Sequence, residues 1–326
     1  MAKQPHLAVE SIAGKRPYQE DSVLAETLSD GRTLLAVADG MGGHAAGEIA
    51  SALALKTLVE AVGERRPLGE AFRMANERVH KMASEPGKQG MGTTLVAVLV
   101  DGSQFSVANV GDSRVYLVSA DGIRRLTEDH SFVAEAMKRG QSEAEAMATP
   151  WKDALTRSIG TDEEVEVDVF GPYPIEDDSA FLICSDGLYK TLDDDELRDL
   201  FKRSGGARGA AQSLVAAAFV AGSDDNISVA IAEYGDVPRD DAPTTMILAY
   251  VGGASVEAGQ SAADAHGDRG AERSAGARED TNAEGSREGA AAAVTDEAAV
   301  VGGLPMAALA AILVVGVLVA ILIFGG

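Results

Sequence analysis

Cysteine, aromatic residues and positive charge are all scarce in this chain. Its 326 residues include a single cysteine, Cys184, which excludes an internal disulfide framework and a cysteine-built zinc site. Only 28 lysines and arginines stand against 51 aspartates and glutamates, so the formal net charge is -23. Because nucleic-acid binding relies on clustered Lys and Arg that neutralise phosphates, this composition argues against a nucleic-acid partner.

Several motifs of well-defined chemistry are also missing. The chain has no Gly-x-Ser-x-Gly elbow, which disfavours a serine hydrolase, and neither a P-loop nor a dinucleotide fingerprint. Cys184 is followed six residues later by Lys190 and not by the Arg that a cysteine phosphatase loop needs. We therefore interpret Cys184 as a small core residue. Residues 1–11 lack an apolar run, so we expect no secretory signal.

One long uncharged segment lies near the C-terminus. Residues 304–324, LPMAALAAILVVGVLVAILIF, are numerous enough to cross a bilayer core of about 30 Å as a helix. A buried core helix is the alternative, but a core helix of this length normally shows a polar face. The sequence therefore predicts one transmembrane helix in the cell membrane. Since we expect no secretory signal, we also expect the preceding residues to be cytoplasmic.

The segment before this helix has an unusual composition. Residues 236–303 are rich in Ala, Gly, Asp, Glu and Arg and poor in aromatic residues. Such a composition does not bury enough apolar surface to form a core. We predict an acidic disordered linker at 236–303, which joins a domain at 1–235 to the transmembrane helix.

Residues 1–235 are predicted to form one domain of mixed strands and helices. Period-2 or wholly apolar runs predict strands, and helical periodicity fills most of the gaps between them. The strands are expected at 6–12, 22–28, 32–38, 93–100, 104–109, 114–119, 164–170, 179–184 and 226–233, and the helices at 45–62, 68–83, 131–148, 194–203 and 207–221. Short turns between successive strands indicate antiparallel hairpins. The pattern is typical of an α+β fold with helices outside the sheets.

Acidic residues stand at the ends of several of these apolar strands. They are Glu20, Asp21, Asp39, Asp112, Asp186, Asp224 and Asp225. Any one of them alone is explained as a turn or cap residue. If the strand ends converge, however, the carboxylates would repel one another and raise one another's pKa. Hard divalent cations such as Mg²⁺ or Mn²⁺ prefer oxygen ligands and would remove that repulsion.

Eight short stretches strengthen this interpretation because they occur together and in order. They are RPYQED (16–21), ADGMGGHAAGE (38–48), MGTTLV (91–96), VGDSRVY (110–116), TEDHS (127–131), LTRSIG (155–160), CSDGL (184–188) and SDDNIS (223–228). On the basis of these eight stretches, the chain resembles the metal-dependent serine/threonine protein phosphatases of type 2C, particularly the bacterial form. The resemblance covers essentially all of residues 6–234.

The resemblance implies a four-layer α-β-β-α sandwich of two antiparallel sheets, and a site that uses two Mn²⁺ or Mg²⁺ ions. Asp39 would bridge the two ions, and Gly40 would offer its carbonyl oxygen to one of them. Asp186 and Asp225 would hold the other ion, and Glu20 would act through a bound water. The expected catalysis is attack on phosphorus by a water that the two ions activate.

Other positions of the family site also match residues of this chain. Asp112 matches the place where some members bind a weaker third ion. Arg16 would clamp the substrate phosphate, and Asp21 and Asn226 would support neighbouring carboxylates. Residues 131–155 match the flap beside the cleft.

The chain departs from eukaryotic members at Met41, where they carry a histidine that acts as general acid. A thioether has no proton to donate, so the proton donor is left open. A water near Asp112 is the first candidate, and His44 or His130 is the second. Either histidine is equally well explained by a loop-stabilising hydrogen bond.

The resulting hypothesis is a membrane-tethered protein phosphatase that acts on phosphoserine and phosphothreonine and reverses the signal of a serine/threonine kinase. A phosphorylated anti-sigma antagonist is an alternative substrate. A catalytically impaired member that binds phosphoproteins is an alternative of a different class. It is disfavoured because every expected metal-site position keeps its acidic residue.

Overall fold

The strands and helices of this chain are described by a computed structural model for residues 4–43 and 45–237. The strands are β1 His6–Ile12, β2 Asp21–Thr27, β3 Thr33–Met41, β4 Gly92–Thr93, β5 Leu95–Asp101, β6 Gln104–Val110, β7 Arg114–Ser119, β8 Gly122–Arg125, β9 Asp168–Pro174, β10 Ser179–Cys184 and β11 Ile227–Tyr234. The helices are α1 Ala45–Gly63, α2 Leu68–Ala83, α3 Phe132–Lys138, α4 Glu143–Met147, α5 Asp186–Tyr189, α6 Asp194–Arg203 and α7 Gly206–Ala221.

The strands form two antiparallel sheets. One has the order β1-β11-β10-β7-β8, and the other has the order β2-β3-β5-β6-β9 with β4 paired to β3. Every pairing between these strands is antiparallel. The antiparallel hairpins predicted at the turns 30–32, 101–103 and 121–122 are confirmed, but the turn 111–113 joins β6 to β7, which lie in different sheets.

The wholly apolar strands are explained by burial on both of their faces. Along β3, Leu34 and Ala36 pack with the helices α1 and α2, whereas Leu35 and Val37 pack against the other sheet. The sheet β1-β11-β10-β7-β8 is covered on its outer face by α6 and α7, for example by Phe201. Successive side chains of a strand point to opposite faces, so a strand between two apolar layers has no polar alternation. The predicted α-β-β-α arrangement is confirmed.

Several predicted elements agree with the structure residue by residue. The strands β1, β7 and β10 and the helices α2 and α6 have the predicted bounds.

The single helix predicted at 131–148 is wrong. The structure has α3 and α4 there, each with a serine N-cap, Ser131 and Ser142. Between them Gly140 has φ +94°, a left-handed conformation that ends a helix and that glycine adopts without strain.

The membrane prediction concerns residues outside this description. Within 4–43 and 45–237, none of the helices combines the length and apolar character needed to span a bilayer. The predicted linker at 236–303, apart from its first two residues, and the predicted span at 304–324 lie outside the described residues.

Candidate metal centre and active site

The end of β3 places Asp39 at the centre of the candidate site. Its Cα is opposite that of Asp21 in the β2–β3 pair. Its backbone is fixed by the next strand, since Asp39 N–H donates to Thr94 Oγ1 (2.9 Å) and Asp39 C=O accepts from Thr93 Oγ1 (2.9 Å). The MGTT stretch therefore holds the backbone of Asp39 and leaves its carboxylate available.

The glycines after Asp39 allow an unusually close approach of three chain segments. A Cβ atom added at Gly40 would lie 2.2 Å from the carbonyl oxygen of Gly47 and 2.6 Å from that of Glu20. A Cβ atom added at Gly47 would lie 2.5 Å from Glu20 Oε1. No side chain fits at either position. The glycine cluster thus brings Glu20, the Gly40 backbone and the first turn of α1 together.

The two sheets meet at this site through Ser185. Its hydroxyl donates to Asp21 Oδ2 (2.8 Å) and accepts from the backbone N–H of Ser228 (3.0 Å). Asp186 follows Ser185 directly and begins the short helix α5. One hydroxyl therefore fixes the ends of β2, β10 and β11 relative to each other.

Asn226 connects the last strand to the loop that carries Arg16. Its side-chain oxygen accepts from Glu20 N–H (2.8 Å), and its amide nitrogen donates to the carbonyl oxygens of Ala13 (3.0 Å) and Tyr18 (2.9 Å). Only its backbone N–H donates to Asp225 Oδ1 (2.8 Å). The Asn226 side chain therefore holds the Arg16 loop and Glu20, while its backbone supports Asp225.

The acidic residues share one electrostatic environment. Burial raises the pKa of Asp39 well above its ordinary value, and the charges of Asp21, Asp186, Asp112 and Asp225 raise it further. Burial is also the main reason that the pKa values of Asp21 and Asp112 rise to about 7. Carboxylates from five separate segments thus lie within one another's field, as the strand-end pattern predicts.

Two of these carboxylates are ion-paired with basic side chains. Lys190 Nζ lies 2.5 Å from Asp186 Oδ2 and 4.0 Å from Asp112 Oδ2. Arg16 donates to Asp225 Oδ2 at 2.7 Å. Burial lowers the pKa of Lys190, but the attraction of Asp186 and Asp112 outweighs it and leaves that pKa raised.

The donor set fits a hard divalent cation, although the side chains are not arranged as a finished cage. Among the described residues, no three His, Cys, Asp or Glu side chains are close enough to hold one ion as they stand. Instead, the carboxylate of Asp186 is paired with Lys190, and that of Asp225 is paired with Arg16. Asp186 Oδ1 is buried and has no hydrogen-bond partner among the described residues. An acceptor-only oxygen in this setting suits Mg²⁺ or Mn²⁺.

The two histidines proposed as proton donors are placed differently. His44 lies outside the described residues. His130 is buried, and its Nδ1 accepts from Gly111 N–H (3.2 Å) while its Nε2 lies 3.2 Å from Asp168 Oδ2. Burial lowers the pKa of His130. These contacts favour the loop-stabilising alternative for His130.

Lys190 is the residue at this site that sequence reasoning missed. In the sequence it stands out only as the wrong residue for a cysteine phosphatase loop. Its spacing of four from Asp186, across the start of a helix, is a recognisable ion-pair signal. The proximity of Lys190 to Asp112 depends on the fold and has no local signal.

Comparison with known proteins agrees with the architecture and the motif order. The family model described as Protein phosphatase 2C matches residues 12–221. The chain is 38% identical over 230 residues to the serine/threonine phosphatase stp of Listeria welshimeri, which covers 67% of this chain and 91% of that protein.

Solved structures show the same fold. The S. agalactiae serine/threonine phosphatase superposes with a TM-score of 0.66 at 30% identity, covering 71% of this chain and 99% of that one. The catalytic domain of the phosphatase PstP, solved in complex with two manganese ions, gives a TM-score of 0.60 at 30% identity, with coverage of 71% and 99%. The ordered motifs, the two-sheet sandwich and these matches lead to one conclusion: the chain belongs to the protein phosphatase 2C family.

Proposed function

We propose that the protein hydrolyses phosphoserine and phosphothreonine in proteins with the help of two divalent cations, Mn²⁺ or Mg²⁺. The observation that carries this proposal is the half-buried Asp39, whose carboxyl pKa is raised by desolvation and by the charges of four other aspartates. Relatives of this chain are named serine/threonine phosphatases, and one related catalytic domain was solved in complex with two manganese ions. Both facts support the proposal.

In this proposal the metal ligands come from the ends of several strands, with Asp39 and Gly40 both at the end of β3. Asp39 and the Gly40 carbonyl oxygen would hold one ion, Asp39, Asp186 and Asp225 would hold the other, and Glu20 would act through a water. Bound ions supply Lewis acidity and an activated water nucleophile. The chain itself fixes the backbone of Asp39 through the contact with Thr94 and brings Gly40 close to Glu20 through the Gly40–Gly47 approach.

Arg16 is proposed to bind the phosphoryl oxygens of the substrate. Its side chain is 49% exposed and is held by a 3.0 Å hydrogen bond from Nε to the Asp224 carbonyl oxygen. A guanidinium group matches two phosphoryl oxygens at once and stabilises the charge that they carry in the transition state. Since Arg16 also pairs with Asp225, substrate phosphate and Asp225 compete for the same group.

The proton for the leaving serine or threonine oxygen is proposed to come from a water beside Asp112. Met41 has no proton to give, and both ring nitrogens of His130 are engaged by the protein. As long as it binds no ion, the buried Asp112 has a pKa of about 7, so its carboxyl group can hold or release a proton near neutral pH. A third ion bound by Asp112 and Asp186 belongs to the same proposal.

The location and partners of the protein are also part of this proposal. The uncharged segment 304–324 supports a single-pass anchor in the cell membrane, and the acidic composition of 236–303 supports a flexible tether. With the catalytic domain on the cytoplasmic side, the substrates would be phosphorylated proteins near the membrane. A serine/threonine kinase at the same membrane is the partner that this location favours.

A direct test of the metal proposal is to titrate the full-length, metal-stripped protein with Mn²⁺ in a calorimeter. We expect at least two ions per chain, and we expect Asp39→Asn to lose both high-affinity ions because in this proposal Asp39 would contribute to both. An absence of Mn²⁺ binding by the folded wild-type protein would overturn the proposal. Metal and phosphopeptide binding without phosphate release would favour the phosphoprotein-binding module, with Met41 as the first residue to examine.

A further inference from the structure

We propose that Lys190 is a tethered cation that competes with a divalent ion for the Asp186–Asp112 pair and thereby lowers the affinity of that pair for metal. This inference rests on the proposed metal-dependent function. It makes Lys190 a positioning residue that acts through two carboxylates.

The placement of Lys190 is specific. It is the C-cap of the four-residue helix α5 and lies four residues after Asp186. Its side chain is 44% exposed, whereas those of Asp186 and Asp112 are only 12% and 11% exposed. The ammonium group therefore reaches from the surface onto two carboxylates that are almost completely enclosed.

The oxygen atoms of Asp186 show how competition would arise. Oδ2 is paired with Lys190 at 2.5 Å, and the buried Oδ1 has no hydrogen-bond partner among the described residues. A divalent ion on Asp186 would bring a second positive charge next to the ammonium group. Positive charges a few ångströms apart repel strongly where water is largely excluded. The ion would therefore bind Asp186 less tightly while Lys190 is paired with the same carboxylate.

A second partner is available when Lys190 moves away. Lys190 Nζ also lies 3.9 Å from Asp153 Oδ1, whose side chain is 67% exposed on the flap segment 131–155. Displacement toward Asp153 would clear the Asp186–Asp112 pair and keep one ion pair for the lysine. Metal occupancy at this pair is thereby connected to the flap beside the cleft.

The experiment compares Lys190→Met with two controls in the full-length, metal-stripped protein. Lys190→Arg keeps the positive charge. Lys152→Met removes a neighbouring lysine that contacts Asp153 at 3.8 Å and is not among the partners of Asp186. Mn²⁺ binding is measured by calorimetry, and the melting temperature is measured in chelator and in saturating Mn²⁺.

We expect the most weakly bound Mn²⁺ ion that calorimetry resolves to bind Lys190→Met about tenfold more tightly than the wild type. A modest change in charge interaction has an effect of this size. Lys190→Arg and Lys152→Met should stay near the wild type. In chelator, Lys190→Met should melt at a lower temperature, because Asp186 loses its cation, and Mn²⁺ should raise its melting temperature more than that of the wild type.

The possible failures are distinguishable. If the wild type and Lys190→Met bind Mn²⁺ with the same affinity and number of ions, the inference about Lys190 is overturned and the proposed function stands. If neither protein binds Mn²⁺, both are overturned. If Lys190→Met does not fold, Lys190→Gln takes its place in the same comparison, because it keeps a polar side chain without the charge.

Discussion

Asp21 of β2 lies directly opposite Asp39 of β3, with both residues at the end of the strand pair. Like charges at facing positions of a sheet are destabilising, and burial of both carboxyl groups adds to the cost. This pair therefore does not serve the stability of the metal-free fold. The pair makes sense as part of a site that holds positive charge.

Replacement of Asp39 should separate activity from folding. We expect Asp39→Asn to reduce phosphate release by more than about a hundredfold, the loss that follows removal of one preorganised active-site contact. Its melting temperature in chelator should equal or exceed that of the wild type, since one buried like charge is removed. Asp101→Asn, at an exposed strand end, is the control and should match the wild type. Near-normal turnover of Asp39→Asn would refute its assigned role.

The stability of the metal-free protein should depend on pH because the pKa values of buried carboxyl groups are raised in the folded state. The pKa values of Asp21 and Asp112 rise from 3.8 to about 7 in the folded state. A carboxyl group with a raised pKa binds its proton more tightly when folded, so its contribution to stability is full below about pH 4 and is lost as pH rises through about 7.

We therefore expect the melting temperature in chelator to fall between about pH 4 and about pH 7. Saturating Mn²⁺ should reduce this fall, because bound ions favour the charged carboxylates. Asp112→Asn should show a smaller pH dependence than the wild type. A melting temperature that rises over this interval in both proteins would contradict the pKa shifts.

Substitution of Arg16 should affect substrate more than metal. We expect Arg16→Lys to lower kcat/KM for a phosphothreonine peptide by roughly 10- to 100-fold, as a charged hydrogen bond contributes about 1.5–3 kcal/mol. Mn²⁺ affinity should change little, since Asp225 keeps its carboxylate. The exposed Arg124 provides a control, Arg124→Lys, that should leave the kinetics unchanged. Loss of Mn²⁺ binding in Arg16→Lys would show that Arg16 acts through the metal ligands instead.

His130 should prove to be a structural residue. We expect His130→Gln to lose about 1–3 kcal/mol of stability, the cost of leaving buried partners unsatisfied. The shape of the pH profile of kcat should be unchanged, because the imidazole is held between Gly111 and Asp168. Loss of one limb of that profile would instead identify His130 as a proton donor.

The sequence predicts the layered framework well, because each element carries a local signal. The strands expected at 6–12 and 179–184 have these bounds in the structure, whereas the strand expected at 164–170 lies at Asp168–Pro174 and the one expected at 93–100 is divided into β4 and β5. The failures occur where local pattern is misleading. The helical periodicity of 131–148 continues through Gly140, and the short strand β8 and the one-turn helix α5 are too brief to show a period.

The site is only partly predictable for a different reason. Strand-end carboxylates such as Asp39 and Asp186 are visible in the sequence. Their mutual approach depends on contacts between distant segments, such as Ser185 with Asp21, which are separated by 164 residues. The contact of Lys190 with Asp112 and the ion pair of Arg16 with Asp225 have the same origin and are shown only by the fold.

The most direct test of the central claim is phosphate release from a phosphothreonine peptide by the full-length protein after metal removal. We predict release that depends strictly on added Mn²⁺ and stops with a chelator. Thiol alkylation should have no effect, because Cys184 is fully buried and burial raises its pKa. Release in the presence of chelator, or no release by the folded protein with any divalent ion, would contradict the account.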